Sequence, residues 1–320
     1  MNNKAKWFRE SKWGVFSHYL YNLQNSDTEK GMLHSKGIGN TDWNQCVEDF
    51  DTDQYANILN DIGAGYVIFT IMQGNKYLCS PNATYNEITG YKQGEACSSR
   101  DLIADLIQSL NKYDIPLMLY YTGDGPHQDE IGGHAFGFYD RENQNVSDEF
   151  VTKWASVAQE FSLRYKSGVK GWWIDGCYKD FFGYDESKLK ILSDAVKAGN
   201  PNAIVTFNNG VDFKGRYSIH EDFTAGEVTE FTDDYPNEEQ CDGSQPHLLS
   251  FLGIPSEFYE WGNPAWGKPG SKYSGEFMSS YVNKVNNAGG VVSIDVCTFR
   301  DGTIDQGQIE VLRYLSKINI

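Results

Sequence analysis

The chain has 320 residues, enough for one large α/β domain or two smaller ones, and its 40% hydrophobic content supplies a sizeable core. A formal net charge of −17 repels phosphate backbones and anionic lipid surfaces, which excludes nucleic acid and a membrane surface as partners. No apolar run is long enough to cross a bilayer.

Apolar runs alternate with helical patterns along the chain. Trp13 to Phe16 reads as a strand, and Asp53 to Ile62 as a helix with Tyr55, Ile58, Leu59 and Ile62 on one face. Tyr66 to Thr70 is the second strand. Ser99 is expected to cap a helix carrying Leu102, Ile103, Leu106, Ile107 and Leu110. Pro116 to Tyr121 is the third strand, and Ser147 opens a helix through Phe161. Gly171 to Asp175 is the fourth. A helix from Glu186 to Ala198 stops at Gly199-Asn200-Pro201, and Ala203 to Phe207 is the fifth strand. Glu227 to Phe231 and Ser256 to Tyr259 are expected as the sixth and seventh. Gly275 to Asn286 is helical, Val291 to Val296 is the last strand, and Gln306 to Ile318 closes the chain as a helix.

Eight strands interleaved with helices predict a single-domain (β/α)8 barrel of the TIM type over residues 1–320. The alternative is a doubly wound sheet, but no Gly-rich phosphate loop follows the first strand. The six cysteines are scattered without a CxxC pair, which predicts neither a zinc site nor a disulfide scaffold but free, partly buried thiols. Cys79 with Cys97 is the one pair that would suit an oxidising compartment. Met1-Asn2-Asn3-Lys4 lacks the apolar segment of a signal peptide. The chain is therefore expected to be cytoplasmic, or bacterial periplasmic or secreted if a signal has been removed.

Barrel enzymes place their chemistry at the C-terminal tips of strands. Asp175 ends the fourth strand within Gly171-Trp172-Trp173-Ile174-Asp175-Gly176. Strand alternation puts Trp173 on the side of Asp175, and Trp172 and Ile174 on the other. Trp173 would then form a floor for a sugar held by Asp175. The same residues equally read as barrel packing and a turn cap. His18 ends the first strand, Gln73 and Asn75 follow the second, Tyr120 and Tyr121 end the third, and Asn208 and Asn209 the fifth. Neutral polar groups at several tips suit a polyhydroxylated ligand. An aromatic share of 14% points the same way. A glycosidase also needs a second carboxyl group. The candidates are Glu221 and Glu227 in one cluster, and Glu257 and Glu260 further on.

The order of these motifs resembles the α-L-fucosidases of glycoside hydrolase family 29. WFRESKWGVFSHY, from Trp7, is similar to that family's opening segment, and Arg100-Asp101-Leu102 through Tyr121 to its RDL helix and LYY strand. Trp173-Ile174-Asp175-Gly176 resembles its W-x-D-G, and Asp222 to Glu227 its DY-x-TPE, with Gly226 in place of the proline. Trp266-Gly267 and the run from Gly289-Gly290 to Leu312 continue the likeness. The resemblance implies Asp175 as nucleophile and Glu227 as acid/base, with Glu221 and Glu257 as rivals. It implies sugar contacts from His18, Tyr121, Trp173, Arg216 and Trp266. The family's His-His-Asp-Gly after the second strand is replaced by Gln73-Gly74-Asn75-Lys76. Gln73 and Asn75 would read the hydroxyls instead, so the sugar would be fucose or another L-sugar.

The family's usual C-terminal β-sandwich has no counterpart before Ile320, so part of the rim would be absent or come from a partner protomer in a homo-oligomer. The implied activity is a retaining, exo-acting glycoside hydrolase. It acts on an oligosaccharide or glycan and needs neither metal nor organic cofactor. Two alternatives stand beside it: a glycan-binding protein on a decayed barrel, and a hydrolase of another sugar, of α-galactosidase type.

Overall fold

The computed structural model describes residues 3–25, 34–141, 145–236, 241–254 and 265–316. Seven strands form one parallel sheet: β1 (Trp13–Ser17), β2 (Val67–Thr70), β3 (Leu117–Thr122), β4 (Val169–Asp175), β5 (Ile204–Phe207), β6 (His247–Phe251) and β7 (Val291–Val296). Their order is β5-β4-β3-β2-β1-β7-β6. Six of the seven coincide with the apolar runs expected as strands, and nearly every strand residue is buried, as in sheets covered on both faces. Helices cover the outside. Those at Thr52–Ile62, Leu102–Asn111, Asp148–Tyr165, Glu186–Lys197 and Gly275–Asn287 each begin at a side chain that caps a free backbone N–H. The cap of the second is Asp101, which accepts from Ala104 N at 3.1 Å, and not Ser99.

The sheet curls, and a segment without regular strand pairing reaches both of its edges. Asp222 N donates to Val205 O on β5 at 2.8 Å. Two residues on, Thr224 N donates to Gln245 O, and Leu249 N on β6 donates to Gly226 O, at 3.0 and 2.9 Å. Residues 222–228 thus lie between β5 and β6. The expected sixth strand at Glu227–Phe231 is replaced by this segment, which is bridged singly at Glu227–Leu249 on β6 and at Phe223–Gln245 just before it. Gly226 explains the irregularity. Its φ is +60°, and a Cβ there would fall 1.9 Å from His247 O. Proline, fixed near φ −65°, has no access to that conformation. The true β6, His247–Phe251, was not expected, and the expected seventh strand, Ser256–Tyr259, lies outside the described residues.

Two apolar layers follow from strand alternation. Trp172 and Ile174 point to the layer between sheet and helices, whereas Trp173 points inward with Phe16, Met118, Tyr120, Ile204 and Leu249. The helix expected to run to Ile318 spans Gln306–Leu312, and Ile318 itself lies outside the described residues. All six cysteines are buried and unpaired. Among the described residues no helix is long and apolar enough to cross a membrane.

Candidate active site

Strand tips β1 to β4 and the 222–228 segment surround a cavity of about 420 Å³. Asp175 sits at the end of β4. Gly176, at φ +66°, turns the chain at once, and its N–H donates back to Asp175 Oδ1 at 2.8 Å. The same oxygen accepts from Asn208 Nδ2 at 2.9 Å and from Tyr178 OH at 3.4 Å, and Oδ2 accepts from Tyr120 OH at 2.7 Å. Four donors on one partly exposed carboxylate hold it in a single orientation and satisfy its negative charge without a cation.

Glu227 faces it across the shared amide, because Asn208 Nδ2 also donates to Glu227 Oε2 at 2.5 Å. The facing oxygens of the two carboxyl groups are therefore no further apart than the sum of these two contacts. Glu227 keeps one edge in the cavity, but most of its surroundings are protein. Burial first, and the charge of Asp175 second, push its carboxyl up to about 8, against the opposing hydrogen bond from Asn208.

The other expected residues separate into two groups. His18, Gln73, Asn75, Trp173 and Trp266 line the cavity. His18 Nδ1 lies 2.6 Å from Oδ1 of buried Asp295, whose other oxygen accepts from Gly267 N, so the ring is held with Nε2 toward the cavity. Gln73 Nε2 donates to Tyr120 OH at 2.8 Å, extending the hydrogen-bond chain that ends on Asp175. Trp173 stacks on Tyr120, centroids 5.6 Å apart and planes at 17°, and anchors its indole N–H on Ala225 O.

Tyr121 and Arg216 lie elsewhere. Tyr121 points to the outer layer, stacks on Trp154 and donates to Trp154 O at 2.9 Å. Its neighbour Tyr120 takes the inward position, as the pairing Tyr120–Trp173 requires. Arg216 is turned away from the cavity and holds the carbonyls of Ser218, Ile219 and Asp242. The rival Glu221 is buried beside β5 and accepts from Phe207 N, Thr206 Oγ1, Tyr217 N and Ser218 N. Burial raises it to about 7, but both its oxygens are engaged, one by β5 and the other by the loop it organises. The other rival, Glu257, lies outside the described residues, as does Glu260. Sequence reasoning gave no role to Asp295, Tyr178, His127 or Arg141, although the last three line the cavity. For Tyr120 the period-2 alternation from Trp173 was the available signal.

A curled parallel sheet with two carboxyl groups across one amide, in a cavity of aromatic and neutral polar groups, defines a glycoside hydrolase. The profile of the alpha-L-fucosidase family matches residues 1–318, and the chain belongs to that family. Among solved structures it is similar to an alpha-L-fucosidase of glycoside hydrolase family 29 from Bacteroides thetaiotaomicron, trapped as a covalent intermediate. Identity there is 14% and the TM-score 0.63, covering 99% of this chain and 74% of that one. The Thermotoga maritima alpha-fucosidase in complex with fucose is 18% identical with a TM-score of 0.62, over 98% and 72%. An endo-fucoidan hydrolase of family 107 is 13% identical with a TM-score of 0.71, over 98% of this chain and 53% of that chain. At these identities the likeness is one of fold. Comparison with curated proteins by sequence finds no match.

Proposed function

We propose that the protein is a retaining α-L-fucosidase, built as a (β/α)8 barrel over the whole chain in which residues 222–228 take the place of one strand. The observation that carries the mechanism is the Asn208 bridge. It limits the facing oxygens of Asp175 and Glu227 to less than ~5.5 Å, which supports the close pair of a retaining enzyme over the ~6.5–9.5 Å that inversion needs to seat a water. The covalent intermediate trapped in the Bacteroides thetaiotaomicron relative agrees with this.

In the first step Asp175 attacks the anomeric carbon and the bond to the leaving oxygen breaks. Glu227, still protonated at neutral pH because its carboxyl is pushed up to about 8, gives that oxygen its proton. In the second step Glu227 takes a proton from water. The water oxygen bonds the anomeric carbon, and the ester to Asp175 breaks. Tyr120, Tyr178 and Asn208 steady Asp175, while His18, Gln73 and Asn75 meet sugar hydroxyls and Trp173 and Trp266 its apolar faces. The intact pair speaks against a decayed, binding-only barrel. The test is a panel of aryl glycosides: α-L-fucoside, α-L-galactoside, α-D-galactoside and α-L-arabinoside. Release from the fucoside that vanishes in Asp175→Asn, with an unchanged melting temperature, is expected. Full activity in Asp175→Asn would overturn the assignment, and release from another sugar alone would change the substrate.

A further inference from the structure

The cavity has lining residues beyond those assigned to the cleaved sugar. Beyond His18 it is lined by Tyr21 and Tyr77, whose rings stack with centroids 3.7 Å apart and planes at 18°. Both are only partly buried, and the indole of Trp43 backs both rings. Around them the cavity presents the neutral amides of Asn22, Asn75 and Gln128. Flat apolar rings beside these amides match the C–H faces and hydroxyls of a sugar, and the Lys76 ammonium lies 5.6 Å from the centre of the Tyr77 ring.

The position of this pair is set by topology. Tyr21 follows β1 and Tyr77 follows β2, while Glu227 lies on the segment between β5 and β6. In the strand order, β6 and β7 separate Glu227 from β1 on one side, and β5, β4 and β3 separate it from β2 on the other. The tyrosine pair therefore stands across the mouth from the group that protonates the leaving oxygen.

We propose that Tyr21 and Tyr77 form a second sugar subsite on the non-leaving side, so that the cleaved residue itself carries a further sugar. This rests on the hydrolase reading above, and it replaces strictly terminal release with cleavage within a chain. The leaving group departs past Glu227. Whatever occupies the tyrosine pair is joined to the residue bound at Asp175 through one of that residue's other hydroxyls.

The test uses the full chain and two kinds of 4-nitrophenyl glycoside: the α-L-fucoside, and the glycosides of α-1,2-, α-1,3- and α-1,4-linked L-fucosyl-L-fucose. Wild type is expected to release one disaccharide intact, seen by mass spectrometry. Tyr77→Ala and Tyr21→Ala are expected to lower the ratio of disaccharide to monosaccharide kcat/KM about tenfold. Tyr77→Leu, which keeps apolar bulk behind Trp43 but not the flat ring, is expected to lower the same ratio with an intact fold. Cleavage of the monosaccharide glycoside alone, or an equal loss on both substrates, would overturn the subsite while leaving the hydrolase reading intact. Calorimetric titration with the free disaccharides separates the converse case. Binding that weakens in Tyr77→Ala, without hydrolysis of either substrate, would keep the subsite and refute the hydrolase. Neither binding nor hydrolysis would refute both.

Discussion

Replacing Glu227 by glutamine removes an ionisation that folding has displaced. In the unfolded chain this carboxyl loses its proton near 4.5, and in the folded protein it holds it to about 8. Between those limits the folded state binds more protons than the unfolded state, so this group makes wild-type stability fall as pH rises. One proton sets a slope of at most about 1.4 kcal/mol per pH unit, or about 2.7 kcal/mol from pH 5.5 to 7.5. Glu227 keeps an edge in the cavity, so solvent reduces this, and we expect about 1–2 kcal/mol. Glutamine has the same shape and no proton to lose. The advantage of Glu227→Gln over wild type should therefore grow with pH by that amount, because Glu221 titrates alike in both and cancels. Urea denaturation of the pair at pH 5.5, 6.5 and 7.5 measures it. A difference flat in pH would refute the claim that burial and Asp175 hold this carboxyl protonated. Activity should move the other way, with turnover of a fucoside bearing a poor leaving group falling about 10²–10⁴-fold.

Two further substitutions test the assignment of roles. Tyr120→Phe removes the 2.7 Å hydrogen bond to Asp175 Oδ2, a charge-assisted contact of about 1.5–3 kcal/mol, and should lower kcat at least tenfold with the fold intact. Steady-state kinetics with a melting curve checks it, and an unchanged kcat would refute the positioning role. Glu221→Gln confronts four donors with an amide N–H₂, so thermal melting should show about 1–3 kcal/mol of lost stability while kcat on folded protein stays near wild type.

Much of this architecture was legible because buried parallel strands are short apolar runs with sharp stops. Gly171 to Asp175 and Val291 to Val296 carry that signal plainly. His247–Phe251 does not. Its five residues include a histidine and a serine that look polar, yet His247 is satisfied by Thr224 O and Ser293 Oγ on the inner face of the sheet. The 222–228 segment was hidden for a different reason, since its place depends on a left-handed glycine and not on periodicity. Resemblance located Asp175 and Glu227, which the structure brings together, but it also pointed to Tyr121 where alternation favours Tyr120. It gave no means of seeing that the loop after β5 turns Arg216 away. Asp295 was illegible because its partner His18 is 277 residues distant in sequence.

In the proposed double displacement, the charge of Asp175 would also set the timing of the reaction. Once Asp175 is tied to sugar as an ester its negative charge is gone, and with it the second largest influence that keeps Glu227 protonated. The affinity of Glu227 for a proton then drops at the moment it has just given one away. In that scheme the acid for departure would become the base for the incoming water. Hydrolysis of the ester would restore the charge and reset the pair for the next cycle.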